Sequence, residues 1–201
     1  MDSKFDKNLC VRYPTLLLCE DMPNDDQFFF ECGNGWFDII NAALTAIYNK
    51  NSTDNRAVYV TQVKEKFGLL RIYCVNGDEY TNAVADISEL ISELTCEICG
   101  NAGIIHTTKG WNQVRCDIHK LTIDNNSEIP ARISDEYSYN LAKAIESMLG
   151  LFGSNPQLAL KWLKEPLKVL GYKKPYAVLQ NQEGCSEIIR LIGRLEHGVF
   201  P

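Results

Sequence analysis

The chain has 201 residues, of which 45% are hydrophobic and 23% charged, and its formal net charge is −6. This apolar fraction can build a packed core and excludes wholesale disorder, while no stretch approaches 18 apolar residues, so no transmembrane helix is expected. The negative net charge excludes a protein whose whole surface is basic, as nucleic-acid binding would favour. The first residues lack the apolar segment of a secretory signal, so we expect a cytoplasmic protein.

The N-terminal region predicts an irregular segment followed by one helix. Residues 1–34 contain turn formers and acids, with only a short apolar run near their end, and are read as irregular. Residues 36–48 carry apolar side chains at helical spacing and predict a helix. Residues 51–55, with the sequence NSTDN, predict the loop that ends it.

A β-hairpin and a second helix are predicted next. Residues 57–63 and 69–75 are rich in β-branched and aromatic residues, which favours two strands. Between them lies Lys64–Gly68, in which Gly68 can adopt a positive φ, and the register of the hairpin stays open. Residues 78–94 place apolar side chains on one face and predict a helix.

Four potential metal ligands form two closely spaced pairs. Cys96 and Cys99 are separated by two residues, and Cys116 and His119 repeat this spacing after sixteen intervening residues. Two such knuckles joined by a hairpin are typical of a zinc ribbon or a treble-clef-like module, with IIHTT and WNQVR as the strands. Four protein ligands close the coordination sphere, so the expected cofactor is structural Zn²⁺. His106 is the main alternative ligand, but it lies inside the predicted hairpin.

The last third of the chain reads as helical. An apolar stripe from Tyr137 to Phe152 predicts one helix ended by Gly153, and Asn155-Pro156 forms a good start for the next. Residues 183–196 predict a final helix that Gly198 ends. We therefore expect an α+β protein with a small N-terminal α/β zinc module and a mainly α-helical C-terminal domain. The expected boundaries are residues 1–120 for the first, 121–134 for a linker and 135–201 for the second.

Residues 33–119 resemble a segment found in uncharacterised phage and prophage proteins. The residues that carry the resemblance are GWFDII (35–40), VTQVKEKFGLLRIY (60–73) and CEICG…GW…VRCDIH (96–119). The resemblance implies a small α/β zinc module and leaves its function open. It also leaves open whether the protein is phage-encoded.

The C-terminal third resembles the toxin-binding domain of Xre/MbcA/ParS-type antitoxins. The matching segments are FGSNPQLALKWLKEP (152–166), LGYKKPYAVL (170–179) and EGCSEIIRLIGRLEHGVF (183–200). Members of this family usually neutralise RES-type toxins, which degrade NAD, and their C-terminal end lies at or near the active site of the toxin. They usually carry a helix-turn-helix domain before this module, where the present chain has an acidic zinc module.

The resemblance implies a non-catalytic protein that neutralises a protein toxin in the cytoplasm of a bacterial host. We expect no catalytic residues, no membrane partner and no strong nucleic-acid binding. The metal ligands are Cys96, Cys99, Cys116 and His119, and the expected partner-binding residues are Arg190, Arg194, Glu196, His197, Gly198, Val199 and Phe200. Two alternatives remain open, namely a phage-encoded anti-defence protein that binds a host defence effector and a zinc-ribbon nucleic-acid-binding regulator. Formation of a homo-oligomer also remains open.

Overall fold

Seven α-helices and two small β-sheets make up the described part of the chain, which comprises residues 1–17, 29–54, 57–108, 110–122, 130–153 and 155–199 of a computed structural model. In chain order the elements are α1 (Ser3–Arg12), β1 (Phe30–Glu31), α2 (Phe37–Asp54), β2 (Tyr59–Lys66), β3 (Leu69–Val75), α3 (Glu79–Ser92), β4 (Ile104–Thr108), β5 (Trp111–Arg115), α4 (Asp135–Leu151), α5 (Pro156–Lys164), α6 (Pro175–Val178) and α7 (Gln182–Glu196). This composition confirms the predicted α+β class.

The N-terminal helix α1 corrects the prediction that residues 1–34 are irregular. It is mostly polar and buries few side chains, so its sequence carries little apolar periodicity. Leu9 is fully buried and ties the helix to the core. Just after the helix, the Tyr13 hydroxyl donates to Asn41 Oδ1 at 2.7 Å and so connects this segment to α2.

Helix α2 continues through Asp54, so the loop predicted at residues 51–55 is wrong up to that residue, and Asn55 lies outside the described residues. Local hydrogen bonds explain why polar residues continue the helix. The hydroxyls of Ser52 and Thr53 donate to the carbonyls four residues earlier, at 3.0 and 2.9 Å. These bonds satisfy side chains that would otherwise compete with the helical backbone.

The β-hairpin is confirmed: β3 has its predicted bounds, and β2 lies two to three residues further along the chain than predicted. In the antiparallel register Tyr59 pairs with Val75 and Lys66 with Leu69, which leaves only Phe67 and Gly68 in the turn. Both residues have positive φ, of 57° and 84°. A two-residue turn of this kind matches the twist of the flanking strands. The short β1 adds to the edge of β2 in parallel orientation.

A single cluster of buried apolar side chains connects the two halves of the chain. It extends from Leu9 to Ile192 and includes residues of α2, α3, α4 and α7. Helix α4 packs against both α2 and α7. The division into residues 1–120 and 135–201 stays a prediction, and the structure shows that the two segments share buried surface.

The predicted C-terminal helices are all present. Ser134 caps α4 by accepting from Tyr137 N at 3.1 Å, and Asn155 caps α5 by accepting from Leu158 N at 3.2 Å. Asn181 caps α7 in the same way, accepting from Gly184 N at 2.8 Å. Among the described residues, none of the helices has the length and apolarity that crossing a membrane would require.

Candidate metal centre and C-terminal surface

The four predicted metal ligands lie together at one buried point. Their ligand atoms are all within 4.8 Å of one another. Cys99 Sγ is 3.7 Å from Cys116 Sγ, and His119 Nδ1 lies 3.7 Å from Cys96 Sγ and 3.3 Å from Cys116 Sγ. The structure therefore brings residues that are up to 23 positions apart in the sequence into a group that could hold a metal ion.

Backbone turns aim these side chains inward. In the first knuckle Gly100 N donates to Cys96 O at 2.9 Å, and Gly100 has a φ of 76°, which glycine adopts without steric cost. In the second knuckle His119 N donates to Cys116 O at 3.0 Å. Strands β4 and β5 join the knuckles, as predicted. His106 lies on β4 opposite Gln113 and is not part of the group of four.

A glycine-containing loop before α2 packs directly on the first knuckle, and this contact was not anticipated from the sequence. A Cβ atom on Gly35 would lie 2.2 Å from Cys96 O, and one on Gly33 would lie 2.3 Å from Glu97 O. Gly35 N donates to Glu97 O at 2.7 Å. Only the absence of a side chain at these two positions permits so close an approach. The sequence signal was the pair of glycines in Gly33-Asn34-Gly35.

A buried ion pair braces the same region. Arg115 Nη1 lies 3.0 Å from Glu97 Oε2, and both side chains are almost fully buried. Glu97 Oε1 also accepts from Gly33 N at 2.9 Å. The pair connects the first knuckle to β5 and to the glycine loop. Sequence reasoning missed it because linear spacing does not reveal which carboxylate meets which guanidinium.

Burial of the site acts in opposite ways on its histidine and on Cys99. Burial lowers the pKa of His119, so the imidazole is neutral at physiological pH and can donate a lone pair. Burial raises the pKa of the Cys99 thiol, so a cation is needed to hold it as a thiolate. Metal binding at this site is therefore coupled to proton release.

Helix α7 is fixed to the core by one face. Ile188 and Ile192 are buried as expected, whereas Ile189 and Leu195 are only half-buried. Leu191, which belongs to the same apolar stripe of the sequence, is also buried. The other face carries Arg190 and Arg194 one turn apart, both exposed.

A defined turn ends α7. Gly198 N donates to Leu195 O at 3.1 Å, and Val199 N donates to Arg194 O at 2.8 Å. With Gly198 at a φ of 68°, these bonds form a Schellman motif. Glu196 and His197 are exposed, and Val199 is 56% exposed. Phe200, the last of the predicted partner-binding residues, lies outside the described residues.

Comparison with known proteins finds a family match for the C-terminal segment. Residues 150–198 match the family model described as the antitoxin Xre/MbcA/ParS C-terminal toxin-binding domain. The match confirms the likeness expected from the sequence of this part. The match lies outside residues 33–119, whose resemblance to phage proteins stays a prediction. No solved structure matches the chain.

Two curated relatives bear the same name. Antitoxin Xre of Yersinia enterocolitica is 39% identical over 72 residues, which are 34% of this chain and 49% of that protein. Antitoxin Xre of Photorhabdus laumondii is 33% identical over 57 residues, which are 28% of this chain and 38% of that protein. The chain thus spans half or less of the length of these curated relatives.

Proposed function

We propose that this chain is a non-catalytic antitoxin that neutralises a protein toxin of the RES type, acting in the bacterial cytoplasm. The observation that carries the proposal is the match of residues 150–198 to a toxin-binding domain. The names of the two curated relatives support the antitoxin role. The toxin class rests on the sequence resemblance described above.

The exposed end of α7 is the proposed contact surface. The apolar face of the helix is held in the core, so ordering this element on binding costs little further conformational entropy. Arg190 and Arg194 offer two adjacent cations for carboxylates on the toxin. Beyond them, the Schellman motif sets the direction of Val199, an exposed apolar residue suited to a pocket on a partner.

We further propose that the Cys3His group holds structural Zn²⁺. In a tetrahedral zinc site with Zn–S bonds of about 2.3 Å and Zn–N bonds of about 2.0 Å, two sulfurs lie about 3.8 Å apart and a sulfur and a nitrogen about 3.5 Å apart. The observed Cys99–Cys116 distance of 3.7 Å and the sulfur–nitrogen distances of 3.3 and 3.7 Å fit these values. Four protein ligands leave no position for a reacting water, which supports a structural role.

Neutralisation can be tested by co-expressing this chain with each member of a panel of RES-type toxins. We expect growth and cellular NAD to recover in the presence of the chain. Removal of residues 196–201 should leave the helical circular dichroism unchanged, because α7 is held by residues that precede the deletion. The same deletion should weaken neutralisation at least about tenfold, since the proposed contacts are lost.

Charge-reversal variants provide the matched comparison. The double variant Arg190→Glu, Arg194→Glu should weaken binding of the toxin. The control variant Lys4→Glu, Lys7→Glu reverses two exposed charges one turn apart on α1, outside the matched segment. This control should bind the toxin as well as the unsubstituted chain does. Normal neutralisation by the truncated chain would place the contact elsewhere. Failure to neutralise any RES-type toxin would overturn the assignment of the toxin class.

A further inference from the structure

Gln180 lies between α6 and α7, and its side chain reaches the segment that precedes the first metal knuckle. Gln180 Oε1 accepts from the Thr95 hydroxyl at 2.9 Å, and Gln180 Nε2 donates to Ile91 O at 3.3 Å. Thr95 is the residue immediately before the ligand Cys96, and it is buried. The side-chain amide of Gln180, a residue of the C-terminal segment, thus contacts the residue next to the first proposed metal ligand.

A second connection joins the other end of the same knuckle to Gln180. Arg132 N donates to the carbonyl of the ligand Cys99 at 2.8 Å. The Arg132 guanidinium then donates from Nη2 to Gln180 O at 3.3 Å and lies over the ring of Tyr137, 5.8 Å from its centroid. Both ends of the Cys96–Cys99 knuckle therefore lead to Gln180, one through its side chain and one through its carbonyl.

The first turn of α7 depends on the position of Gln180 and its neighbours, the corner between α6 and α7. Gly184 approaches α6 so closely that a Cβ atom on it would lie 1.7 Å from Val178 O. The carbonyl of Leu179, the residue before Gln180, accepts from the buried Tyr137 hydroxyl at 2.8 Å. Asn181, the residue after Gln180, caps the helix through Gly184 N. A displacement of Gln180 would therefore disturb both the cap and the tight contact.

We propose that Gln180 is a positioning residue that connects the state of the Cys3His centre to the first turn of α7. A bound metal fixes Cys96 and Cys99, which in turn fixes the Thr95 hydroxyl and the Cys99 carbonyl that the two connections use. Loss of the metal releases the Cys96–Cys99 knuckle. Gln180 then loses the support of its hydrogen bonds with Thr95 and Arg132. The relevance of α7 to toxin binding rests on the proposed function, whereas the coupling itself is a property of the chain alone.

Hydrogen–deuterium exchange of the full chain, with metal bound and after chelation, tests this coupling without a toxin. In the unsubstituted chain, chelation should speed exchange of residues 182–190 about tenfold, while residues 39–47 of α2 stay protected. Gln180→Ala removes the side-chain connection and keeps the Gln180 carbonyl that Arg132 uses. In this variant the metal-loaded protein should already exchange faster there, and chelation should add only about threefold. Thr95→Val removes the hydroxyl from the opposite side and should give the same result.

Gln182→Ala is the matched control. Gln182 is also half-buried, and its amide bonds to Glu136 on α4 rather than to the metal module, so this variant should respond to chelation like the unsubstituted chain. Elemental analysis should find one metal ion in each metal-loaded protein. Four outcomes would each overturn the coupling. They are unchanged exchange of α7 after chelation, equal acceleration in α2, a tenfold response retained in Gln180→Ala, and absence of bound metal. Failure of toxin neutralisation with the expected exchange pattern would overturn only the proposed function.

Discussion

Cys99 shows at the scale of one residue what the proposed metal centre requires. Its sulfur lies 3.7 Å from that of Cys116, inside a group whose ligand atoms are buried. A serine hydroxyl is a poor substitute for a thiolate as a ligand for Zn²⁺. Its neighbours in the fold also depend on the knuckle, because the Cys99 carbonyl accepts from Arg132 N.

We expect Cys99→Ser to reduce bound zinc from one ion per chain to well below one and to lower the melting temperature, because metal binding contributes to folding free energy. Elemental analysis after dialysis against a chelator measures the first effect. Cys74→Ser is the control, since Cys74 lies on β3 outside the group of four and should leave the zinc content unchanged. A full complement of zinc in Cys99→Ser would contradict the assigned ligand set.

Asp38 is a second residue whose environment has a measurable consequence. It lies at the start of α2, and its carboxylate accepts from Ser134 N at 3.0 Å and from the Ser138 hydroxyl at 2.9 Å, which ties α2 to the start of α4. Burial raises the pKa of Asp38 to about 6 from an ordinary value of 3.8, although these hydrogen bonds oppose the shift. The folded chain therefore binds a proton at a pH where the unfolded chain has lost it.

This shift predicts that the contribution of Asp38 to stability is present below pH 3.8 and is lost as the pH rises to about 6. The full change is on the order of 3 kcal/mol. Asp38→Asn cannot ionise, so the difference in unfolding free energy between the unsubstituted chain and this variant should shrink as the pH rises. Urea unfolding between pH 4 and 7 measures that difference, and protonation of the metal ligands largely cancels in it. A difference that stays constant would contradict the raised pKa.

Among the elements, α7 offers two glycines for comparison, one inside the helix and one in the turn that ends it. A Cβ atom on Gly193 or on Gly198 meets nothing within 4 Å, so neither substitution causes a collision. Gly193 lies within the helix, whereas Gly198 has a φ of 68° in the terminal Schellman motif. The two substitutions therefore add the same methyl group in opposite backbone conformations.

We expect Gly193→Ala to raise the free energy of unfolding by about 0.5–1 kcal/mol, because alanine favours the helical conformation. Gly198→Ala should lower it by up to about 1 kcal/mol and redirect Val199, because residues with a Cβ atom disfavour positive φ. Chemical denaturation measures both changes. Equal effects of the two substitutions would show that the backbone conformation at Gly198 is not maintained in solution.

The elements that the sequence predicted well are those with strong local signals. The cap Asn155 and the apolar stripes of the C-terminal helices placed their starts and ends to within a few residues. Helix α1 was missed because it is polar and is held by tertiary contacts such as that of Leu9. The grouping of the three cysteines with His119 was predictable from spacing, whereas the Glu97–Arg115 pair and the contacts of Gln180 depend on packing between distant segments.

At the scale of the whole molecule, the shared core predicts cooperative unfolding. The buried cluster includes Trp36 before α2, and the half-buried Trp162 on α5 packs against it. Because α4 contacts both α2 and α7, loss of one part exposes apolar surface of the other.

We expect a chain with Trp111→Phe and Trp162→Phe, in which Trp36 alone reports fluorescence, to unfold at the same urea concentration by fluorescence and by helical circular dichroism. The exposed Trp111 makes the first substitution mild, and Trp162→Phe keeps an aromatic ring beside Phe152. Two separated transitions would instead show that residues 1–120 and 135–201 unfold as independent units.

The packing of Gly33 and Gly35 on the first knuckle also constrains how genes encoding this fold can recombine. A crossover between the codons for residues 35 and 96 would join a knuckle to a loop that had not evolved beside it, and any side chain at either glycine would overlap the knuckle backbone. Descendants that keep the cysteines must therefore keep both glycines or rebuild the loop. We therefore expect the two short segments to be inherited as a pair, although about sixty residues separate them in the chain.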